Sequence, residues 1–539
     1  MASRKQRRAA LKRAKTRKPT KRAGPAATPA LIDQMTDTLQ MGKACWERGK
    51  RDEALALYER GVKELPHNIR AYLLAARVHA ERYRLAEMEV MLDRLRLLAP
   101  DHPGVHHYIA ETYTLTNQTG CAVAAYEKAC ALPGVQPGTW MELAAQYERS
   151  HRLDEARGLV ERARSQGLRL PLLALIEARL LLRDKRPDAA EAALRDLIGK
   201  LPADEEWACK AWADLALLYD RQGEYEQAIE AIGTCKQAQR GRCAKEQTAA
   251  NSVLARFGAM VQSISAPDFN RWRDEAADLP DTRSAILAGF PRSGTTLLEQ
   301  VLDAHDELVS SEERDYLGKV QFDEIQRPGQ RAGPILDVLN GLSIKRIRTE
   351  QQNYFNVMEQ LLGEPIAGRM HLDKNPAYNL FLPVLLRLFP QSRILIALRD
   401  PRDVVLSCYL RYLPLNPVSV NFLSVERTAQ RYALDMNAWL KFRDIVPNPW
   451  CEVRYEDSVA DLEKQARRAL ETLGLPWDPA VMDYRERLGK ERQVSSPTYE
   501  AVKQPVYTRA VGRWKHYEEH LAPAFETLAP FIEAFGYDG

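Results

Sequence analysis

The spacing of apolar residues along the chain changes character near residue 240. From about Leu31 to Gln239 apolar positions recur at helical spacing, and the whole pattern repeats with a period near 34 residues. Asp52-Glu53-Ala54-Leu55-Ala56-Leu57-Tyr58 has its counterpart in Ala122 to Tyr126, and Tyr58 and Tyr126 stand two periods apart. Leu92, Val160 and Leu194 share that register, while Asp154-Glu155-Ala156 and Glu226-Gln227-Ala228 open the same helix. Its partner helix is read in Ala71 to Ala75, Trp140 to Ala144 and Trp212 to Ala216, with Gln222-Gly223-Glu224-Tyr225 as a turn between the two. Prolines at 66, 100, 133, 171 and 202 are read as closing units.

Residues 241–282 read as connecting helix and loop, with Pro267-Asp268 and Leu279-Pro280. Short apolar runs then alternate with helical stretches. Ser284 to Ala288, Arg393 to Leu398 and Cys451 to Tyr455 are the buried-strand candidates. Strands separated by helices predict a parallel sheet with its site at the strands' carboxyl ends. The fold class expected is therefore α followed by α/β: a helical solenoid over 31–240, then an α/β domain over 283–539.

The 34-residue period, paired helices and recurring proline resemble the tetratricopeptide repeat, in about six copies. Small Ala positions let paired helices approach, and stacking buries a continuous core behind a concave face. The resemblance implies a protein partner, recruited through the repeats.

Composition adds boundaries rather than function. Hydrophobic residues make up 45% and charged residues 28% of the chain, ordinary values for a globular protein. No stretch approaches the ~18 apolar residues that span a bilayer. Eight scattered cysteines without a C-x-x-C pair are expected as free thiols in a reducing compartment, which places the protein in the cytoplasm. The net charge of +4 hides eleven Lys and Arg between Arg4 and Arg22, leaving −7 for the remainder. This tail, residues 1–30, cannot bury apolar surface and is expected to be disordered. It could touch nucleic acid, membrane headgroups or an acidic partner, or simply keep the chain soluble.

The chemistry begins at Gly289-Phe-Pro-Arg-Ser-Gly294-Thr295-Thr296, where a strand runs through a glycine loop into a helix. The spacing is that of the Walker A loop, but Thr295 occupies the lysine position that reaches the terminal phosphates of a triphosphate. Loop amides and a helix N-terminus still form an anion cradle. Arg292, Ser293, Gly294, Thr295 and Thr296 are the candidates on this loop. A second basic loop, Arg399-Asp-Pro-Arg-Asp403, leaves its strand into a helix read from Val404 to Tyr412. Ser407 and Arg411 would share one face of that helix and, with Arg399, hold a second anion. Two basic loops predict a ligand with phosphates at two places. A P-loop kinase or NTPase is the competing reading, weakened by Thr295 and by the lack of a clear Walker B carboxylate. A non-catalytic repeat scaffold is the other.

Pro291-Arg-Ser-Gly-Thr-Thr-Leu297 resembles the 5′-phosphosulfate loop of sulfotransferases, and Arg399-Asp-Pro-Arg-Asp-Val-Val-Leu-Ser407 resembles their 3′-phosphate segment. The detail is most similar to tyrosylprotein sulfotransferases and bacterial tetratricopeptide-repeat sulfotransferases. Asp303-Ala304-His305, Glu312-Glu313, Lys374-Asn375-Pro376, Arg454-Tyr455-Glu456, Gln504-Pro505-Val506 and Arg513-Trp514 match in order. The resemblance implies 3′-phosphoadenosine 5′-phosphosulfate (PAPS) as donor, an acceptor hydroxyl with protein tyrosine among the candidates, and no metal. It makes Glu313 the general base, with Glu312 as the neighbouring alternative. Lys374 and Arg292 stabilise the transferring group, Thr498 is the counterpart of a stabilising serine, and Tyr455 and Arg513 contact the nucleotide. Gln504 and Ala501 depart from the lysine and glutamine usual in the tyrosyl family.

Overall fold

A computed structural model describes residues 36–326, 333–486 and 508–538. The basic tail (1–30), Thr498, Ala501 and Gln504 lie outside the described residues.

Residues 37–240 form six antiparallel helix pairs, from Asp37–Glu47 with Arg51–Glu64 to Glu206–Gln222 with Tyr225–Arg240. The first helix of a pair packs Ala and aromatic residues against the second. Tyr72, Ala76, Trp140, Ala144, Ala213 and Ala216 are all buried. Each intra-pair turn places one residue in the left-handed region: Gly49, Tyr83, Asn117, His151, Lys185 and Gly223. The first five stand 34 residues apart. Only two of the six are glycine, and at the others the conformation costs about 1–2 kcal/mol that stacking must offset. Pro171 opens the helix Pro171–Arg183 instead of closing a unit, as Pro103, Pro137 and Pro187 open theirs. A proline at the first helical position loses no hydrogen bond, because that N–H has no partner inside the helix.

Residues 241–282 are more than a connection. The helices Ala244–Ser263 and Ala266–Glu275 pack into the C-terminal domain. Phe257 meets Phe322 and Phe381 with ring centroids 5.9 and 5.4 Å away, and Trp272 Nε1 donates to Asn340 Oδ1 at 2.9 Å. No described helix is long and apolar enough to cross a membrane.

The C-terminal domain is built on a parallel sheet of five strands: β1 (Ser284–Gly289), β2 (Leu308–Ser310), β3 (Met370–Lys374), β4 (Arg393–Leu398) and β5 (Trp450–Arg454). Their order is β2-β3-β1-β4-β5. Leu287 pairs with Lys374, Gly289 with Ala397 and Leu398 with Arg454, so the carboxyl ends lie along one edge. Both faces are covered. Ala285, Leu287, Leu372, Leu395 and Val453 pack under the helices Thr295–Asp303 and Leu462–Leu473. Ile286, Ala288, Ile394 and Ile396 face the other core, together with Val405, Tyr432 and Trp439. Burial on both faces is why β1 and β4 read as unbroken apolar runs.

β3 gives no such run, because it turns His371 and Asp373 inward. Tyr354 reaches both: its hydroxyl lies 3.0 Å from His371 Nε2 and donates to Asp373 Oδ2 at 2.6 Å. Burial pushes Asp373 up to about 7 and His371 down to about 3. The helix after β4 spans Pro401–Tyr409 and stops before Arg411. Leu410 is its C-cap and Arg411 lies beyond it, so Ser407 and Arg411 do not share a helical face. They line one cleft from a helix and from the turn beyond it.

Candidate active site

Each strand end delivers a candidate residue. The glycine loop follows β1, Glu312 and Glu313 follow β2, Lys374 closes β3, Arg399 follows β4 and Tyr455 follows β5. Convergence at one sheet edge is what a parallel α/β arrangement provides. Together the five ends open onto a cleft of about 980 Å³.

Two glycines, one at the end of β1 and one in the loop after it, stand where a side chain would collide. A Cβ on Gly289, at φ 147°, would stand 2.4 Å from the Ala397 carbonyl oxygen. A Cβ on Gly294, at φ 93°, would stand 2.8 Å from Cδ2 of the Tyr455 ring. Between them Arg292 is itself left-handed, at φ 75°. This backbone leads into the helix Thr295–Asp303, so the N-terminal amides of that helix face the loop, beside the buried Ser293, Thr295 and Thr296.

The two basic loops touch. Arg292 Nε donates to Ser407 Oγ at 3.2 Å, and Arg399 Nη1 donates to the Arg292 carbonyl at 3.2 Å. The Arg399 guanidinium lies 5.2 Å from the centre of the Tyr455 ring and 3.7 Å from the Asp403 carboxylate. Within Arg399-Asp-Pro-Arg-Asp403 the labour is divided. Asp400 caps the following helix and pairs with Arg402 at 2.8 Å; Arg402 also donates to the Asp538 carbonyl at 2.6 Å. Asp403 accepts from the amides of Gly512 and Trp514, each at 2.8 Å. Arg399 alone of the two arginines faces the cleft. Its Nε is buried without a hydrogen-bond partner among the described residues. A buried guanidinium with a donor to spare, beside an anion cradle, fits a bound phosphate.

Opposite lies an acid–base group. Lys374 Nζ stands 2.8 Å from Glu313 and 3.0 Å from Glu299. Lys374 and Glu299 are 1% exposed, whereas the Glu313 side chain is 47% exposed at the cleft. Burial works against the Lys374 cation, but the two carboxylates outweigh it and hold its pKa above the ordinary value. Burial pushes Glu299 up to about 7 despite the lysine beside it. Glu312, left-handed at φ 53°, turns the loop so that its neighbour Glu313 reaches Lys374.

Arg513 lines the cleft but is engaged by the repeats, with Nε 2.8 Å from Asp220 Oδ1. Arg411 is held in place through its carbonyl, which accepts from Lys236 of the last repeat helix at 2.8 Å. Sequence reasoning missed Glu299, Asp315 and the wall formed by Phe257, Phe322 and Phe381. For Glu299 a signal was present: one acidic residue inside the apolar stripe Leu297-Leu298-Glu299-Gln300-Val301-Leu302. Among the described residues no cluster of His, Cys, Asp or Glu is arranged to hold a metal.

Comparison with known proteins assigns the class. Residues 285–479 match the model of the sulfotransferase family, and residues 46–111 and 210–241 match tetratricopeptide-repeat models. The chain thus joins tetratricopeptide repeats to a sulfotransferase domain. It is similar to an uncharacterized protein of Aquifex aeolicus, 24% identical over 46% of this chain and 32% of that protein. It is also similar to protein-tyrosine sulfotransferase A of Caenorhabditis elegans, 26% identical over 47% of this chain and 67% of that protein. A solved sulfotransferase from Mycobacterium avium is 16% identical, with a TM-score of 0.31, over 54% of this chain and 85% of that one.

Proposed function

We propose that the protein transfers the sulfuryl group of PAPS to an acceptor hydroxyl, with tyrosine in a polypeptide as the acceptor. The observation that carries this reading is the pairing of a lysine-free phosphate loop, tied to Ser407 through Arg292, with the Glu313–Lys374 pair across the cleft. The names of the tyrosine sulfotransferase relatives support the acceptor class.

When bound, PAPS supplies an activated sulfuryl group. The amides of residues 292–296, with Thr295 and Thr296, would hold its 5′-phosphosulfate, and Arg399 and Ser407 its 3′-phosphate. No terminal phosphate pair is present for a Walker lysine to grip, which accounts for Thr295. Glu313, exposed at the cleft, takes the proton of the acceptor hydroxyl as that oxygen bonds to sulfur. The bond from sulfur to the bridging phosphate oxygen breaks, and Lys374 and Arg292 stabilise the charge that gathers there. In-line transfer of this kind depends mostly on positioning and electrostatics. The repeats recruit or present the acceptor.

The test is incubation with labelled PAPS and whole lysate, followed by identification of the labelled product. Label on tyrosine of a protein is expected. Adenosine 3′,5′-bisphosphate (PAP) should bind tightly and ATP–Mg²⁺ should not; the reverse preference overturns the reading.

A further inference from the structure

The C-terminal core contains a carboxylate that no step of the proposed transfer uses. Glu299 lies on the first helix after the phosphate loop, 1% exposed, with one oxygen 3.0 Å from Lys374 Nζ and the other accepting from Ser310 Oγ. An ion buried this deeply costs several kcal/mol to desolvate, and an apolar residue would fill a helix stripe of leucines and valine more cheaply. Its position is informative: Lys374 sits between a carboxylate sealed in the core and another, Glu313, that reaches the cleft.

We propose that Glu299 is a positioning residue, a buried counter-ion that holds Lys374 beside Glu313. The inference rests on the function proposed above, and charge balance carries it. Before transfer, at pH above the value near 7 to which burial raises Glu299, one cation faces two anions. When Glu313 takes the acceptor's proton it becomes neutral and stops compensating Lys374. Without Glu299 the lysine would then be a buried cation with no partner, at the moment its field is needed by the departing oxygen. With Glu299 the remaining pair is neutral. Glu299 is faced by Lys374 from β3, by Ser310 from β2 and by Glu312 from the loop after β2. Glu313 is faced by Lys374 and by Asp315. Glu299 is thus the counter-ion to Lys374 that does not itself exchange a proton with the acceptor.

The experiment follows the rate of label transfer from PAPS into whole lysate between pH 5 and 9, with PAP affinity measured separately. For Glu299→Gln the transfer rate at saturating PAPS is expected to fall about 10- to 100-fold, less than the ~10²- to 10⁴-fold that loss of the base itself would cost. PAP affinity should stay within about threefold. The loss should be larger at pH 8 to 9, where Glu299 is ionised, than at pH 5, where it is protonated in the unaltered protein too. Glu299→Asp should recover most of the rate. An unchanged rate and profile in Glu299→Gln overturns the proposal, and so does a loss confined to PAP affinity. If Glu299→Gln does not fold, Ser310→Ala decides, since it loosens Glu299 without removing a charge. A threefold or greater fall in rate is then expected, and an unchanged rate and profile overturns the proposal. Absence of transfer and of PAP binding in the unaltered protein would instead refute the proposed function.

Discussion

Asp220, on the last repeat pair, accepts hydrogen bonds from Arg513 Nε and from the Tyr517 hydroxyl, each at 2.8 Å, and so ties the helical array to the donor side of the cleft. The same segment returns to the site through Asp403, which binds the amides of Gly512 and Trp514. Arg513 is therefore aimed by a residue of the other domain.

Asp220→Ala is accordingly expected to weaken PAP binding about tenfold and to lower the melting temperature, with the transfer rate at saturating PAPS changed less than twofold. Calorimetric titration of PAP checks this. Arg513→Ala should cost a similar amount, and the double variant should be little worse than either alone, because each single change already breaks the same pair.

A second inter-domain contact bears on Glu313, the proposed base. Arg314 follows Glu313 and donates to the carbonyls of Thr116 and Asn117, at 3.2 and 3.0 Å, in the left-handed turn of the third repeat pair. Tyr83, the corresponding turn residue one repeat earlier, packs edge-on against Tyr316, with ring centroids 5.5 Å apart. Two repeat turns thus brace the loop that carries Glu313. Arg314→Ala should lower the transfer rate about 5- to 20-fold while PAP affinity, set on the far side of the cleft, holds. Equal losses in rate and PAP affinity would show that the loop is not braced in this way.

Glu313→Gln is expected to reduce transfer about 10²- to 10⁴-fold, the usual contribution of a positioned base, with the melting temperature nearly unchanged because this side chain is half exposed. Lys374→Ala should differ in kind. It leaves Glu299 buried without its cation, so it is expected to lose both transfer and several degrees of melting temperature.

Gly294→Ala should cut PAP affinity more than tenfold. The added Cβ meets the Tyr455 ring, and φ 93° is unfavourable for any side chain. Adding Tyr455→Ala relieves the collision but not the backbone strain, so PAP binding in the double variant should stay well below that of the unaltered protein.

Acidification from pH 7.5 to 6 should raise the melting temperature. Burial lifts Glu299 and Asp373 to about 7 and Asp315 to about 6, all above their ordinary values. A carboxyl raised in this way contributes stability that is complete below its unfolded value and is lost as pH rises through the folded one. Each contributes up to about 1.4 kcal/mol per pH unit between the two values. His371, lowered to about 3, works in the opposite direction, but only once the pH falls below the ordinary histidine value near 6.5. Glu299→Gln should flatten the rise.

The repeat period, the strands β1 and β4, the lysine-free loop and the second basic loop were all legible along the chain. Each is a local pattern: helical spacing repeated every 34 residues, apolar runs of strand length, glycines at fixed offsets. β2 is three residues long and β3 carries His371 and Asp373 inward, so neither forms an apolar run. The packing of Tyr354 against β3, with Ser311 beside Asp373, makes those polar groups acceptable inside.

What the amino-acid sequence determined alone was the order of parts and the chemistry of each loop, because glycine spacing, charge and periodicity are properties of neighbours along the chain. What only the tertiary structure decided was which charges meet. Glu299 and Lys374 are 75 positions apart and Asp220 and Arg513 nearly 300. Their pairing follows from strand order and from how the last repeats dock, since Coulomb interaction and desolvation depend on distance in space and on burial, neither of which is written in sequence separation.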